Sequence, residues 1–282
     1  MKNRKKGRLR QFTRELQSEI KKNKNVFAVY VTLRILVIAV AVVSLISGHI
    51  ENFFLCVLSL VLFLLPAFVE RKLKVDLPDA LEIIVLLFIF AAEILGEISS
   101  FYVRVPHWDT MLHTVNGFLF AAIGFAMVDV LNRSSRVKFN LSPFYLAVMA
   151  FCFSMTVGVL WEFFEFGMDM LIHFDMQKDT IVNSVTSVTF DTTASNNTVT
   201  FKDIVDTVII TSDGSQYAFS DYGVNGYVDI GIIDTMKDLI VNFIGAVVFS
   251  IVGFFYVKSR GKGKIARNLI PTLNDSENDL SQ

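Results

Sequence analysis

Six long apolar runs, separated by polar stretches, organise the chain: Val26–Ser47, Ile50–Val69, Asp79–Ser99, Asp109–Leu131, Ser142–Ile172 and Asp234–Tyr256. About 20 apolar residues in helical form cross the hydrocarbon of a bilayer, so each run predicts a membrane-spanning helix. The first run follows a polar stretch of 25 residues and lacks a small-residue cleavage site. It therefore reads as a retained span and not as a removable leader.

One long segment breaks the pattern. His173–Ile233 is rich in Ser, Thr, Asn and Asp, with β-branched runs at Ile181–Phe190, Thr198–Phe201, Ile204–Thr211 and Gln216–Ser220. These runs predict short strands, and Asp213-Gly214 is a hairpin signal between the last two. The expected fold class is an all-α polytopic membrane helix bundle, about six transmembrane helices, with a small extracytoplasmic β-rich insertion. The chain then divides into a basic cytoplasmic tail (1–25), spans one to five (26–172), the insertion (173–233), span six (234–257) and a second cytoplasmic tail (258–282).

Charge sets the orientation. Of the 26 Lys and Arg residues, 21 fall in the tails and in the loops after spans two and four, whereas Arg104, Lys178, Lys202 and Lys237 are all that fall on the other side. Basic residues concentrate on the cytoplasmic side of membrane proteins. The expected location is thus the cell membrane, multi-pass, with both termini cytoplasmic. The amino-terminal tail, with ten basic and two acidic residues, is a topology signal and a surface anchor for anionic headgroups.

Composition agrees: 53% of residues are hydrophobic and 19% charged, and the mean hydropathy is +0.52. These values exclude a disordered chain or a disulfide scaffold. The net charge of −1 argues against nucleic acid as a partner and leaves membrane lipids, with protein partners undefined. The insertion carries eight Asp, no Glu and two Lys, which either concentrates cations nearby or keeps an exposed sheet soluble. Cys56 and Cys152 sit in apolar runs as small hydrophobes, with no CxxC motif. Phosphate-binding, zinc-protease and nucleophile-elbow motifs are missing from the sequence.

Ionisable groups inside spans are costly and mark function by default. Asp109 and His113 open span four at i,i+4 and share a helix face. Together they can bind a metal, or the carboxylate can orient the imidazole; alternatively Asp109 is an N-cap. In span five Glu162, Glu165 and Asp169 form one stripe among Trp161, Phe163, Phe164 and Phe166. Glu162 lies roughly 30 Å along the helix from Ser142, the level of the Asp109 end of span four. In span six Asp234, Asp238 and Asn242 form an i,i+4,i+8 stripe, with Asp234 alternatively an N-cap. Span three ends with Glu93 and Glu97, and its Glu82 fits a capping box with Asp79. Arg34 in span one either snorkels or pairs with an acid. Acids from four spans thus converge at one level, where a cation or shared protons must neutralise them. One imidazole among carboxylates suits Mg²⁺, Mn²⁺ or Zn²⁺ as a cofactor.

The segments WDTMLHTVNG (Trp108–Gly117), WEFFEF (Trp161–Phe166) and DTMKDLIVNFIGA (Asp234–Ala246) resemble the YjdF-like bacterial membrane proteins, with a fainter likeness to the VanZ-like group. The resemblance implies Asp109, His113, Glu162, Glu165, Asp234 and Asp238 as metal or site residues. It supplies no reaction, and it departs from this chain in the insertion of about 60 residues before the last span and at Glu97, where some members have His. Glu97, Asp169 and Asn242 are secondary ligand candidates. The expected function is a metal-assisted hydrolase or transferase on an envelope lipid or lipid-linked substrate, with His113, Glu162 and Glu165 catalytic. Two alternatives stay open: a proton- or cation-coupled transporter, and a non-catalytic envelope sensor working through the insertion.

Overall fold

The computed structural model describes residues 24–73, 75–133, 141–259 and 268–273. The basic amino-terminal tail, Arg136 and Lys138 of the loop after span four, and most of the carboxy-terminal tail lie outside the described residues. Among the described residues five helices are long and apolar enough to cross a membrane: Lys24–Ile46, Ile50–Lys72, Trp108–Asp129, Pro143–Ile172 and Ile232–Lys258.

The helices in chain order are α1 (Lys24–Ile46), α2 (Ile50–Leu62), α3 (Leu65–Leu73), α4 (Asp79–Phe90), α5 (Phe101–Arg104), α6 (Trp108–Arg133), α7 (Pro143–Ile172) and α8 (Ile232–Lys258). The second spanning stretch is interrupted between α2 and α3 because Pro66 cannot donate to the carbonyl of Leu62. The third expected span is carried by two helical forms in series. Twelve α-helical residues of α4 run into a π-helical segment of eight, Ala91–Ile98. Its wider turns are closed by five-residue bonds such as Ser99 N–H to Ile94 O at 3.0 Å. Helix α4 starts directly after Pro78 with no side-chain cap, so the expected Asp79–Glu82 capping box does not form. Proline suits this place because its missing N–H falls where the helix has no acceptor for it.

The chain forms two compact units, one of residues 1–158 with 241–282 and the other of residues 159–240. In the first, α1, α2, α4 and the π-helical segment bury Leu33, Val37, Ala41, Cys56, Phe63, Leu86, Ile89 and Ile94 together. A second core joins Leu81 of α4, Leu119, Ala122 and Phe125 of α6, Leu146 and Ala150 of α7, and Ala246 and Phe249 of α8. Helices in lipid gain by close approach at small residues, and two glycines here are required by it. A Cβ on Gly245 would overlap the Thr114 carbonyl, and one on Gly117 would overlap the Asn242 carbonyl. Strand β1 (Val75–Asp76) pairs with β8 (Thr272–Leu273) antiparallel. Many large apolar side chains are exposed, Ile35, Val43 and Ile46 of α1 among them, as lipid contact demands.

The second unit carries the β-rich insertion as three antiparallel pairs. Strand β2 (Ile181–Val182) pairs with β7 (Tyr227–Val228), β3 (Val185–Ser187) with β4 (Val199–Phe201), and β5 (Val208–Ile210) with β6 (Gln216–Ala218). The Asp213-Gly214 turn joins β5 and β6 as expected, with Gly214 at φ 85°. The strands are shorter than the apolar runs predicted, and Val188–Phe190 is a 3-10 turn. Aspartates hold the intervening backbone. Asp191 accepts from the N–H groups of Thr193, Ser195 and Asn197. Asp206 accepts from those of Thr207 and Ser220, and Asp229 from those of Thr180, Gly231 and Ile233. The acidic surplus of this segment is thus largely a set of loop fasteners.

Candidate functional site

In the first unit, α6 begins at Trp108 after His107, which sits at a left-handed φ of 61°. Asp109 therefore lies within the first turn and not at the N-cap. One turn on, His113 Nε2 lies 3.5 Å from Asp109 Oδ1. That is ion-pair distance, longer than a strong hydrogen bond. His113 is buried and Asp109 half-buried, so the pair faces protein. The indole Nε1–H of Trp108 is buried and meets no acceptor among the described residues, while its ring packs edge-on against Phe101.

Below this pair α6, α7 and α8 cross closely. Ser154 Oγ donates to the Gly117 carbonyl at 2.7 Å. Asn242 is 1% exposed. It occupies space that a Cβ on Gly158 would fill. Its amide nitrogen has Met155 Sδ at 3.5 Å, a weak acceptor, and its amide oxygen has no partner among the described residues. A buried acceptor left unmade costs about 1–3 kcal/mol.

In the second unit the aromatic–acid segment is turned inside out relative to a water-soluble helix. Trp161, Phe163, Phe164 and Phe166 are exposed, while Glu162 and Glu165 are 4% and 8% exposed. The aromatics face outward, and the carboxylates face protein. Glu165 Oε1 accepts from Trp161 Nε1–H at 2.8 Å. Asp169, the third acid of the stripe, instead accepts from the backbone N–H groups of Met176 and Gln177 at 2.7 and 2.8 Å, and so secures the chain leaving α7. Asp234 accepts from Lys178 N–H at 2.7 Å, and Gln177 Nε2 donates to Thr235 Oγ1. Asp234 is the third residue of α8, so it is not the N-cap. Asp238, one turn further, is 3% exposed. The helical stripe Asp234, Asp238, Asn242 thus carries its two inner members fully inside the protein.

Glu97 is exposed on the π-helical segment. Asp179, in the insertion, is held above the usual carboxylate range by burial, then by the charges of Asp175, Asp229 and Asp169. Burial also opposes the charge of Asp229, but the N–H groups of Thr180, Ile233 and Gly231 overcome it and hold that carboxyl below its ordinary value. The sequence reading missed Asp129, buried near the Arg133 end of α6, although an acid inside an apolar run was a visible signal. It also missed Trp161 as a donor to Glu165 and Ser154 as a clasp, for which the sequence offers no signal.

The family described as "Predicted membrane protein (DUF2238)" matches residues 29–259. The match covers most of the chain, and the protein belongs to this family. That family carries a different name from the YjdF-like resemblance; what the two have in common is a multi-pass membrane protein. An uncharacterized protein of Thermotoga maritima is 26% identical over 107 residues, 38% of this chain and 53% of the relative. The chain spans about half the length of that relative. No solved structure matches.

Proposed function

We propose that this is a protein of the cell membrane, both termini cytoplasmic, that holds a divalent cation at a carboxylate–histidine site near the extracytoplasmic leaflet and acts as a hydrolase or transferase on an envelope lipid or lipid-linked substrate. The observation that carries this function is the pair of buried His113 and half-buried Asp109 on one face of α6, with His113 Nε2 3.5 Å from Asp109 Oδ1; the YjdF-like resemblance implies Asp238 as a further ligand. Two carboxylates and an imidazole suit Mg²⁺, Mn²⁺ or Zn²⁺. The YjdF-like resemblance of the segments bearing these residues supports the same set. The bias of Lys and Arg to one side supports the orientation.

A cation bound there supplies a Lewis acid and lowers the pKa of a bound water. Asp109 Oδ1 and His113 Nε2 lie 3.5 Å apart on one face of α6, so both can meet one cation. Glu162 and Glu165 face protein between lipid-exposed aromatics, which suits a general base beside a substrate arriving from the bilayer. Asp169 and Asp234 already hold backbone N–H groups and act as scaffolding; Asn242 is an additional oxygen donor on the Asp238 stripe.

Elemental analysis of the purified full chain tests this. Wild type is expected to carry near-stoichiometric divalent metal, and His113→Ala and Asp238→Asn to lose most of it while remaining folded. Metal-free wild type, or variants that keep the full load, would refute the site. Glu162→Ala is expected to abolish turnover of a lipid-linked phosphate or ester while abundance in the membrane is unchanged. The buried carboxylates of the Glu162 stripe also favour one other function, a proton- or cation-coupled transporter. A pH-dependent flux in reconstituted vesicles that Glu162→Ala removes, with no turnover in either protein, would select it.

A further inference from the structure

Arg34 stands apart from everything described so far. It is the eleventh residue of α1, roughly 15 Å along the axis from Lys24, and so lies near the middle of a spanning helix. Its flanking residues Ile35, Leu36 and Ile38 are exposed to lipid. A guanidinium at this depth must find an anion or reach the interface. Among the described residues it has no carboxylate partner, and its buried Nε–H meets no acceptor. Its guanidinium carbon instead lies 4.2 Å from the centroid of the Tyr30 ring, one turn back toward Lys24. Helical side chains lean toward the amino terminus, so the stacked pair directs its donors to the membrane surface at the Lys24 end.

We propose that Arg34 and Tyr30 form a binding site for the phosphate of a membrane phospholipid. A guanidinium binds phosphate through paired, charge-assisted N–H···O bonds. Stacking on Tyr30 fixes its plane, and the phenol adds a donor one turn closer to the headgroup layer. From Lys24 to Tyr30 is roughly 9 Å of helix, a depth that a lipid phosphate drawn slightly inward reaches. The apolar flank of α1 leaves the approach open to acyl chains.

Native mass spectrometry of the full chain released from nanodiscs tests this, with phosphatidylglycerol, diacylglycerol of the same acyl chains, and inorganic phosphate as probes. Wild type is expected to retain phosphatidylglycerol and not diacylglycerol, and excess inorganic phosphate is expected not to displace the lipid. Arg34→Ala is expected to weaken retention roughly tenfold, the effect of one charge-assisted hydrogen bond. Arg34→Lys and Tyr30→Phe, which keep most of the side chain, are expected to weaken it less; they carry the test if Arg34→Ala fails to insert. Unchanged retention in these variants overturns the proposal. Displacement by inorganic phosphate assigns the site to the free ion and overturns it. A wild-type dimer that Arg34→Lys dissociates assigns the guanidinium to a carboxylate of a second copy, and overturns it as well.

Discussion

At the residue scale, the close helix crossing in the first unit sets the tightest constraint. Gly245 lies against the Thr114 carbonyl and Gly117 against that of Asn242, so backbone faces backbone with no side chain able to yield. Gly245→Ala is expected to lower stability by about 1–3 kcal/mol, as overpacking does, read as a lower melting temperature in detergent. Gly167→Ala, where a Cβ meets nothing within 4 Å, is the matched control. Some of this scale was legible in advance. The i,i+4 spacing of Asp109 and His113 placed them on one face, and they lie 3.5 Å apart. The acid stripe of α7 was legible only in part, because periodicity groups Glu162, Glu165 and Asp169 but cannot say that Asp169 secures the following loop. The glycine contacts were not legible, since which helix opposes which is a property of the packing.

At the element scale, apolar run length located the membrane helices to within a few residues. The third run did not show its form: run length and composition mark a helix, but nothing in them marks the change from α-helical to i→i+5 bonding at Ala91–Ile98. Strand lengths were overestimated because β-branched runs suggest extension while aspartates pull the chain out of it. Asp191 is the clearest case. Its carboxyl is held down to about 2, first by the Thr193 hydroxyl and then by backbone N–H groups, Asn197 and Thr193 foremost. A group whose folded value is depressed contributes ordering that is full above its ordinary 3.8 and is lost as pH falls through the folded value. The amide resonances of Thr193 and Asn197 are therefore expected to titrate near pH 2. Titration near 3.8, or no change in Asp191→Ala at neutral pH, would show that the carboxylate does not hold this loop.

At the scale of the whole molecule, the family match and the apolar helices agree on a multi-pass membrane protein. The proposed chemistry rests on few positions within it. The insertion is joined to the helices by a narrow stem, in which Ile181 faces Val228 and Val182 faces Tyr227. Asp229 binds Thr180 N–H beside it. Replacing residues 184–224 by a short Gly/Ser linker leaves the stem intact. The shortened protein is expected to insert normally and to keep the metal content of wild type. Loss of metal with retained insertion would tie the cation to the insertion and not to Asp109, His113 and Asp238.

The stem has a practical consequence. Its strands emerge side by side, and the far hairpin turns at Gly214, where a Cβ would meet nothing within 4 Å. A single thiol introduced there, with Cys56 and Cys152 replaced by Ala, offers one chemical handle on the insertion. Labelling of intact cells with an impermeant maleimide would then report which compartment the hairpin occupies, and so the direction in which every helix is threaded.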